Sequence, residues 1–403
     1  MHTRFRASIA LAVAGAVLGS AHVARAAACS TVPGTKLVIE SGDTQEPLLK
    51  SLGKALRDST DTPITILYKT TGTCTLAQDM YTGVKIAVGA SLFYLPSKAE
   101  DPNWTTASAA PTCTVDTAGG QPIDLAIGAT FLSSCTQNPP PAGVALFTGP
   151  IQGYAFIVPK ASTQKSLTAE QGYFVWGFGK NGQAEPWTDE AFLFGRTATK
   201  STALTLAAAI GVPVTKLKGQ LMDKSSEVLN LVANSTNPEK TIGLMGTEIY
   251  DANRDKANVL AFKGFKQRYA YYPDSTSTAR DKKNLRDGHY LPWSPTVYIT
   301  AVDGAGVPTN VGAKLWLDLV LGNRALSDVD GLAIAVQRGL IPQCAMTVTR
   351  AFDGADLASY APPEPCGCFY EATVPDGKTS CKACTNDGEC GSGKCRHKYC
   401  EAK

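Results

Sequence analysis

The stretch PWTDEAFLFGRTATKSTALTLAAAIGVP, residues 186–213, runs from a basic, hydroxyl-rich segment straight into an apolar helical run. Arg196, Thr197, Thr199, Lys200, Ser201 and Thr202 come first; Ala203, Leu204, Leu206, Ala207, Ala208 and Ile210 follow. The first turn of a helix leaves backbone N–H groups unpaired and carries the positive end of the helix dipole. Small hydroxyl residues there let an oxyanion approach closely. Arg196 and Lys200 add full charge, Arg196 through a planar fork that matches a tetrahedral or carboxylate anion. The expectation is one wall of an anion-binding cleft; the alternative is an ordinary helix start with two solvated cations.

Working outward, the chain opens with Arg4 and Arg6, the apolar run IALAVAGAVLG and the small-x-small site Ala24-Arg25-Ala26. That pattern is a secretory signal peptide, so an exported protein is expected, periplasmic or at the cell surface. A variant reading makes Cys29 a lipid-modified first residue. Three of the 38 basic residues and no acid lie in the signal, leaving 35 basic against 35 acidic. Such a balance argues against nucleic acid or an anionic membrane as the partner. No later segment approaches the roughly 18 consecutive apolar residues that a membrane span needs.

All twelve cysteines follow the signal, and in an exported chain an even count points to disulfides. Seven lie in the last 38 residues (Cys366, Cys368, Cys381, Cys384, Cys390, Cys395, Cys400), and Cys29, Cys74, Cys113, Cys135 and Cys344 lie in the body. Both groups are odd, so full pairing requires a bridge from body to tail, with Cys344 to Cys366 or Cys368 expected. A Cys113 to Cys135 bridge is the expectation for the Pro- and Thr-rich excursion over 96–122.

The segment KLVIESGDTQEPLLKSLGKALRD predicts a strand, a polar loop and a helix with Pro47 in its first turn and one face of Leu48, Leu49, Leu52 and Leu56. A strand over Ile64–Tyr68 and a buried strand in PIDLAIGATFLSSC follow. Strand, helix, strand with functional loops at the strand ends is the α/β pattern. GPIQGYAFIVPK is expected to cross to a second lobe, and YLPWSPTVYIT to return. The polar stretch 271–289, with Asp251, Asp255, Asp274 and Asp281 in or near it, is expected to be solvated. Beyond Pro362, Pro363 and Pro365 the remaining residues are too few to bury a core without staples.

Catalytic constellations are thin. After the signal only His289 and His397 remain, neither in HExxH, and neither a GxSxG elbow nor a Walker loop occurs. No enzyme, cofactor or metal is expected. What recurs is a hydroxyl loop at a strand end or helix start: 41–45, 70–75, 128–130 and 197–202.

The order of these motifs over residues 36–345 resembles the periplasmic phosphate-binding proteins of ABC transporters, the PstS-like group of type 2 solute-binding proteins. Thr44 and Gln45 resemble the family's first ligand loop, Tyr68 through Gly72-Thr73 its second, and Gly128-Ala129-Thr130 its Gly-Ala-Ser-Asp turn. Arg196 and Thr202 match the ends of its Arg-x-x-Gly-Ser-Gly-Thr helix start. Two departures stand out. Phe131 replaces the acceptor carboxylate that distinguishes a protonated phosphate from sulfate, and Thr199-Lys200-Ser201 replace Gly-Ser-Gly.

The resemblance implies a two-lobed α/β type 2 periplasmic-binding-protein fold with a hinge cleft, followed by a small disulfide-rich module. The expected layout is 27–145 for the first part of lobe I, 146–289 for lobe II, 290–360 for the return to lobe I and 361–403 for the module, after the signal at 1–26. It implies a monomer that binds a small anion such as phosphate through Thr44, Gln45, Thr73, Thr130, Arg196, Thr199, Lys200, Ser201 and Thr202, for delivery to an ABC transporter permease. The alternative is an exported envelope protein on the same fold, with a degenerate pocket and a partner bound through the cysteine-rich module.

Overall fold

The computed structural model describes residues 27–401; the expected signal over 1–26 lies outside them. Alternation along the strand Thr35–Gly42 sends Leu37 and Ile39 to one face and Val38 to the other, so both faces are covered. Leu48, Leu49, Leu52 and Leu56 of the helix Glu46–Asp58 pack on the first face with Ile64, Ile66 and Tyr68 of the neighbouring strand. Each such buried leucine contributes about 2 kcal/mol. On the second face Val38 and Leu67 meet Leu92, Cys29 and Cys113.

One sheet of twelve strands runs through both lobes. From the first lobe outward its order is Ala27–Ala28, Thr112–Thr114, Ser91–Tyr94, Ile64–Thr71, Thr35–Gly42, Leu125–Gly128, Trp293–Ala301, Val144–Pro159, Ile242–Gly246, Leu193–Arg196 and Gln220–Met222, with Ala257–Val259 also paired to Val144–Pro159. The long strand Val144–Pro159 is the crossing expected from the sequence, and it starts earlier than GPIQGY. It pairs antiparallel with Trp293–Ala301 from Gly153 opposite Trp293 to Val144 opposite Ala301, with a register shift between Pro295 and Val297. The far half of that strand continues into the second lobe, where Phe156 and Val158 join Trp176, Trp187, Leu206 and Leu244 in a separate core. Two cores joined by crossing strands make a hinge geometry.

The polar segment 271–289 departs from expectation. Asp274 and Lys282 are each 1% exposed. Lys282 Nζ stands 2.6 Å from Asp251 and 3.1 Å from Asp274, and Arg254 reaches Asp274 at 2.7 Å. Burial works to lower the Lys282 pKa, but the two carboxylates outweigh it and raise it. The charges in this sequence pair with one another inward, which charge counting along the chain does not reveal; Asp281, by contrast, caps Ser275 at the surface.

Six disulfides use all twelve cysteines. Cys344–Cys366 is the body-to-tail bridge, one of the two anticipated partners. Cys113 pairs with Cys29 rather than Cys135, which pairs with Cys74. The reason is sheet geometry: Ala27 lies beside Cys113 on paired strands, which holds Cys29 next to it. The bridge also gives Cys29 a partner in place of the lipid of the variant reading. The tail does not stand apart. Its helix Gly367–Thr373 inserts Phe369 and Tyr370 into the second-lobe core, and the Glu401 carboxylate accepts hydrogen bonds from the Cys368 and Phe369 amides at 3.0 and 2.9 Å, closing that helix start.

Replacing Lys282 with methionine leaves two buried carboxylates to Arg254 alone. Urea unfolding of Lys282→Met is expected to show a loss of about 3 kcal/mol; a loss below 1 kcal/mol would mean that the cluster is not coupled to folding.

Candidate functional site between the lobes

Three helices begin at the junction of the lobes, and none of the three has a side-chain cap. The helices Glu46–Asp58, Thr73–Thr82 and Ser201–Ala209 follow Gln45, Gly72 and Lys200, and none of these N-cap side chains accepts a hydrogen bond from its helix. Elsewhere Thr168, Asn310 and Asp330 do cap their helices. Uncapped starts leave backbone donors and dipole ends without side-chain partners.

The starts are in contact. A Cβ added to Gly42 would meet Thr44 Oγ1 and Thr73 Oγ1 at 3.8 Å each, so both hydroxyls flank this glycine. Gly72 approaches the segment before the third helix so closely that a Cβ there would stand 2.8 Å from the Thr199 carbonyl oxygen. Across this gap the Cys74 amide donates to Thr199 O at 3.2 Å. Cys74 is in the first turn, where no intrahelical partner exists, so that bond depends on the lobes being closed. Thr73 Oγ1 also accepts from the Ala129 amide at 3.4 Å, linking the third loop.

Of the residues expected from the sequence, Thr44, Gln45, Thr73, Thr130, Arg196, Lys200, Ser201 and Thr202 are all buried. Thr44 Oγ1 and Thr202 Oγ1 have no hydrogen-bond partner, nor does Thr197 Oγ1. A buried hydroxyl without a partner costs about 1–3 kcal/mol unless something fills its needs. Gln45 donates to Gln152 Oε1, and Gln152 donates to Glu248 Oε1 at 3.3 Å, forming a hydrogen-bonded chain from one lobe to the other. Burial holds the Glu248 pKa well above the carboxylate range.

The two cations are engaged by the protein itself. Arg196 Nη2 lies 2.8 Å from Asp43 Oδ1 and also donates to Asp223 O; Nη1 donates to Ser225 Oγ, and Nε to Met222 O at 3.3 Å. Asp43 Oδ2 accepts from the Ser225 amide at 2.9 Å. Lys200 Nζ pairs with Asp223 at 2.9 Å. Burial works to raise the Asp43 pKa, but the Arg196 charge and the hydrogen bonds from Arg196 and Ser225 outweigh it and hold the carboxyl below its ordinary value. Asp43 lies inside the loop Ser41–Gln45 that the sequence singled out as a hydroxyl loop, and Arg196 was expected to meet an anion; their pairing across 153 residues carries no sequence signal. Thr130 turns to another acid. Its hydroxyl donates to Asp353 at 2.6 Å.

The fold is the two-lobed type 2 periplasmic-binding-protein fold, with a disulfide-rich C-terminal region. A structure from Clostridium perfringens, described as a phosphate ABC transporter substrate-binding protein with bound phosphate, aligns with a TM-score of 0.52 at 15% identity, covering 76% of this chain and 99% of that one. An ABC-type phosphate transport receptor from Vibrio cholerae aligns with a TM-score of 0.48 at 13% identity, covering 76% of this chain and all of that one (100%). At such identities the likeness shows the fold alone. No protein-family model matches the sequence, and no curated protein matches it.

Asp43→Ala leaves the Arg196 guanidinium buried among neutral acceptors. Hydrogen exchange at Cys74 is expected to speed up roughly tenfold or more, with about 3 kcal/mol lost from stability. Because the folded Asp43 pKa lies below the unfolded value near 3.8, the pair's contribution is complete above that pH and is lost as pH falls through the folded value. Unchanged Cys74 exchange in the variant would show that the pair does not hold the lobes.

Proposed function

We propose that the protein is an extracytoplasmic solute-binding protein that takes a small phosphate-like oxyanion where the three uncapped helix starts meet, for uptake through an ABC-type transporter. The observation that carries this reading is the pair of buried, partnerless hydroxyls, Thr44 Oγ1 and Thr202 Oγ1, at starts with no side-chain cap. Neutral donors and dipole ends would bind the anion, with the Asp43–Arg196 pair behind them closing the lobes. Hydroxyls both donate and accept, so a protonated phosphate is not refused. The disulfide set and the fold support an extracytoplasmic setting. Among the described residues no helix is long and apolar enough to cross a membrane.

A second reading keeps the fold and gives the pocket no ligand, with a partner held by the cysteine-rich region. It is favoured by the self-neutralised Arg196, each of whose nitrogens already donates to a protein acceptor.

Calorimetric titration of the oxidised protein, unfolded and refolded to strip bound ligand, separates the two. Phosphate or sulfate is expected to bind saturably, and Thr202→Val or Thr44→Val to weaken it about tenfold, the worth of one hydrogen bond to a charged group. Flat traces for both anions would remove the receptor reading.

A further inference from the structure

A hairpin just before the tail carries a second acid into the hinge region. Cys344–Cys366 closes a loop in which Val348–Thr349 pairs antiparallel with Ala358–Ser359, making a hairpin. At its tip Phe352 is 53% exposed whereas Asp353 is only 9% exposed. That inverts the usual preference of the two side chains and requires a specific reason. Asp353 Oδ2 accepts from Thr130 Oγ1 and from Ser134 Oγ, both at 2.6 Å, and Oδ1 accepts from Ser294 Oγ. Ser294 Oγ lies 2.8 Å from Thr205 Oγ1.

Two of these donors are from the first lobe and the third is on the returning strand, from which Thr205 extends the network into the second lobe. Thr130 and Ser134 follow a first-lobe strand, and the adjacent Cys135 is bonded to Cys74 in the helix whose start forms the candidate site. Ser294 is on the returning strand where it pairs with Gln152, and Thr205 is on the second-lobe helix Ser201–Ala209. Each of the three hydrogen bonds to Asp353 is donated by a neutral hydroxyl. Arg350, three residues before Asp353 on the hairpin, is turned elsewhere: its guanidinium lies 3.8 Å over the Trp293 ring and donates to Leu291 O.

We propose that Asp353 is a tethered carboxylate ligand: the hairpin is a strap that fills a carboxylate subsite of Thr130, Ser134 and Ser294 and so holds the two lobes closed in cis. Tethering makes the contact intramolecular, so three neutral hydrogen bonds suffice where a free small carboxylate would bind weakly. The subsite accepts a planar two-oxygen anion of acetate or formate size once the strap's own carboxylate is removed. Thr130 therefore serves the strap rather than the anion of the proposed receptor site.

The test uses the oxidised full mature chain, free of phosphate and sulfate. Hydrogen exchange is read at the Cys74 amide, whose bond to Thr199 crosses the lobes. Asp353→Ala is expected to accelerate that exchange roughly tenfold or more, and added acetate or formate to restore it toward the parent rate. Exchange that stays at the parent rate in folded Asp353→Ala overturns the lock, and acceleration that neither anion reverses overturns the subsite. Should Asp353→Ala fail to fold, Thr130→Val with Ser294→Ala keeps the acid and removes two donors; the same acceleration is expected, and its absence overturns the lock. Because phosphate and sulfate are absent, the outcome is independent of whether phosphate binds.

Discussion

The arrangement of the cleft depends on one buried ion pair, Asp43 with Arg196. Arg196 is fully buried, and a buried guanidinium without a counterion would cost several kcal/mol. Its partner comes from the opposite lobe, so the cost of burial is met only when the lobes approach. The Ser225 amide on the other carboxylate oxygen fixes the geometry, and the Gln45–Gln152–Glu248 chain adds a hydrogen-bonded link beside it. Closure thus engages these protein groups directly.

That has a consequence for how an anion would be held. Were Arg196 free, its charge would dominate selectivity, and any anion of suitable size would be drawn in. With Arg196 neutralised by Asp43 and Lys200 by Asp223, the remaining attraction is from helix ends and hydroxyls. Such donors are directional and weakly screened when buried, so they reward shape and hydrogen-bond count over net charge. A site of the kind proposed above would discriminate by geometry.

The first strand and helix of the first lobe were legible because their apolar periods are clean: Leu37 and Ile39 against Val38, and Leu48, Leu49, Leu52 and Leu56 on one helix face. The hydroxyl loops were legible as helix starts for a local reason, since Thr73 and Ser201 begin helices within a few residues of their strands. Partnerships across the chain were not. Asp43 and Arg196 are 153 residues apart, Thr130 and Asp353 are 223, and Asp274 looked like one more loop charge until Lys282 and Arg254 closed around it. Pairing of that kind depends on the fold bringing segments together, and no spacing in the sequence encodes it. Cys113 was mispaired for the same reason, because the strand Ala27–Ala28 that sets its neighbour is two residues long.

One long-range link did leave a mark, in the parity of the cysteines. Seven in the tail and five in the body cannot all pair within their groups, so a bridge had to join them, and Cys344–Cys366 does. The bridge matters beyond anchoring. It bounds the hairpin that carries Asp353, while Tyr370 just beyond it is buried in the second-lobe core with Arg286 4.7 Å above its ring. A segment pinned at both ends loses little further entropy when its tip is seated, so a modest set of hydroxyl contacts can hold a buried carboxylate there. The cysteine-rich tail is thus joined covalently to the base of the hairpin whose tip seats Asp353.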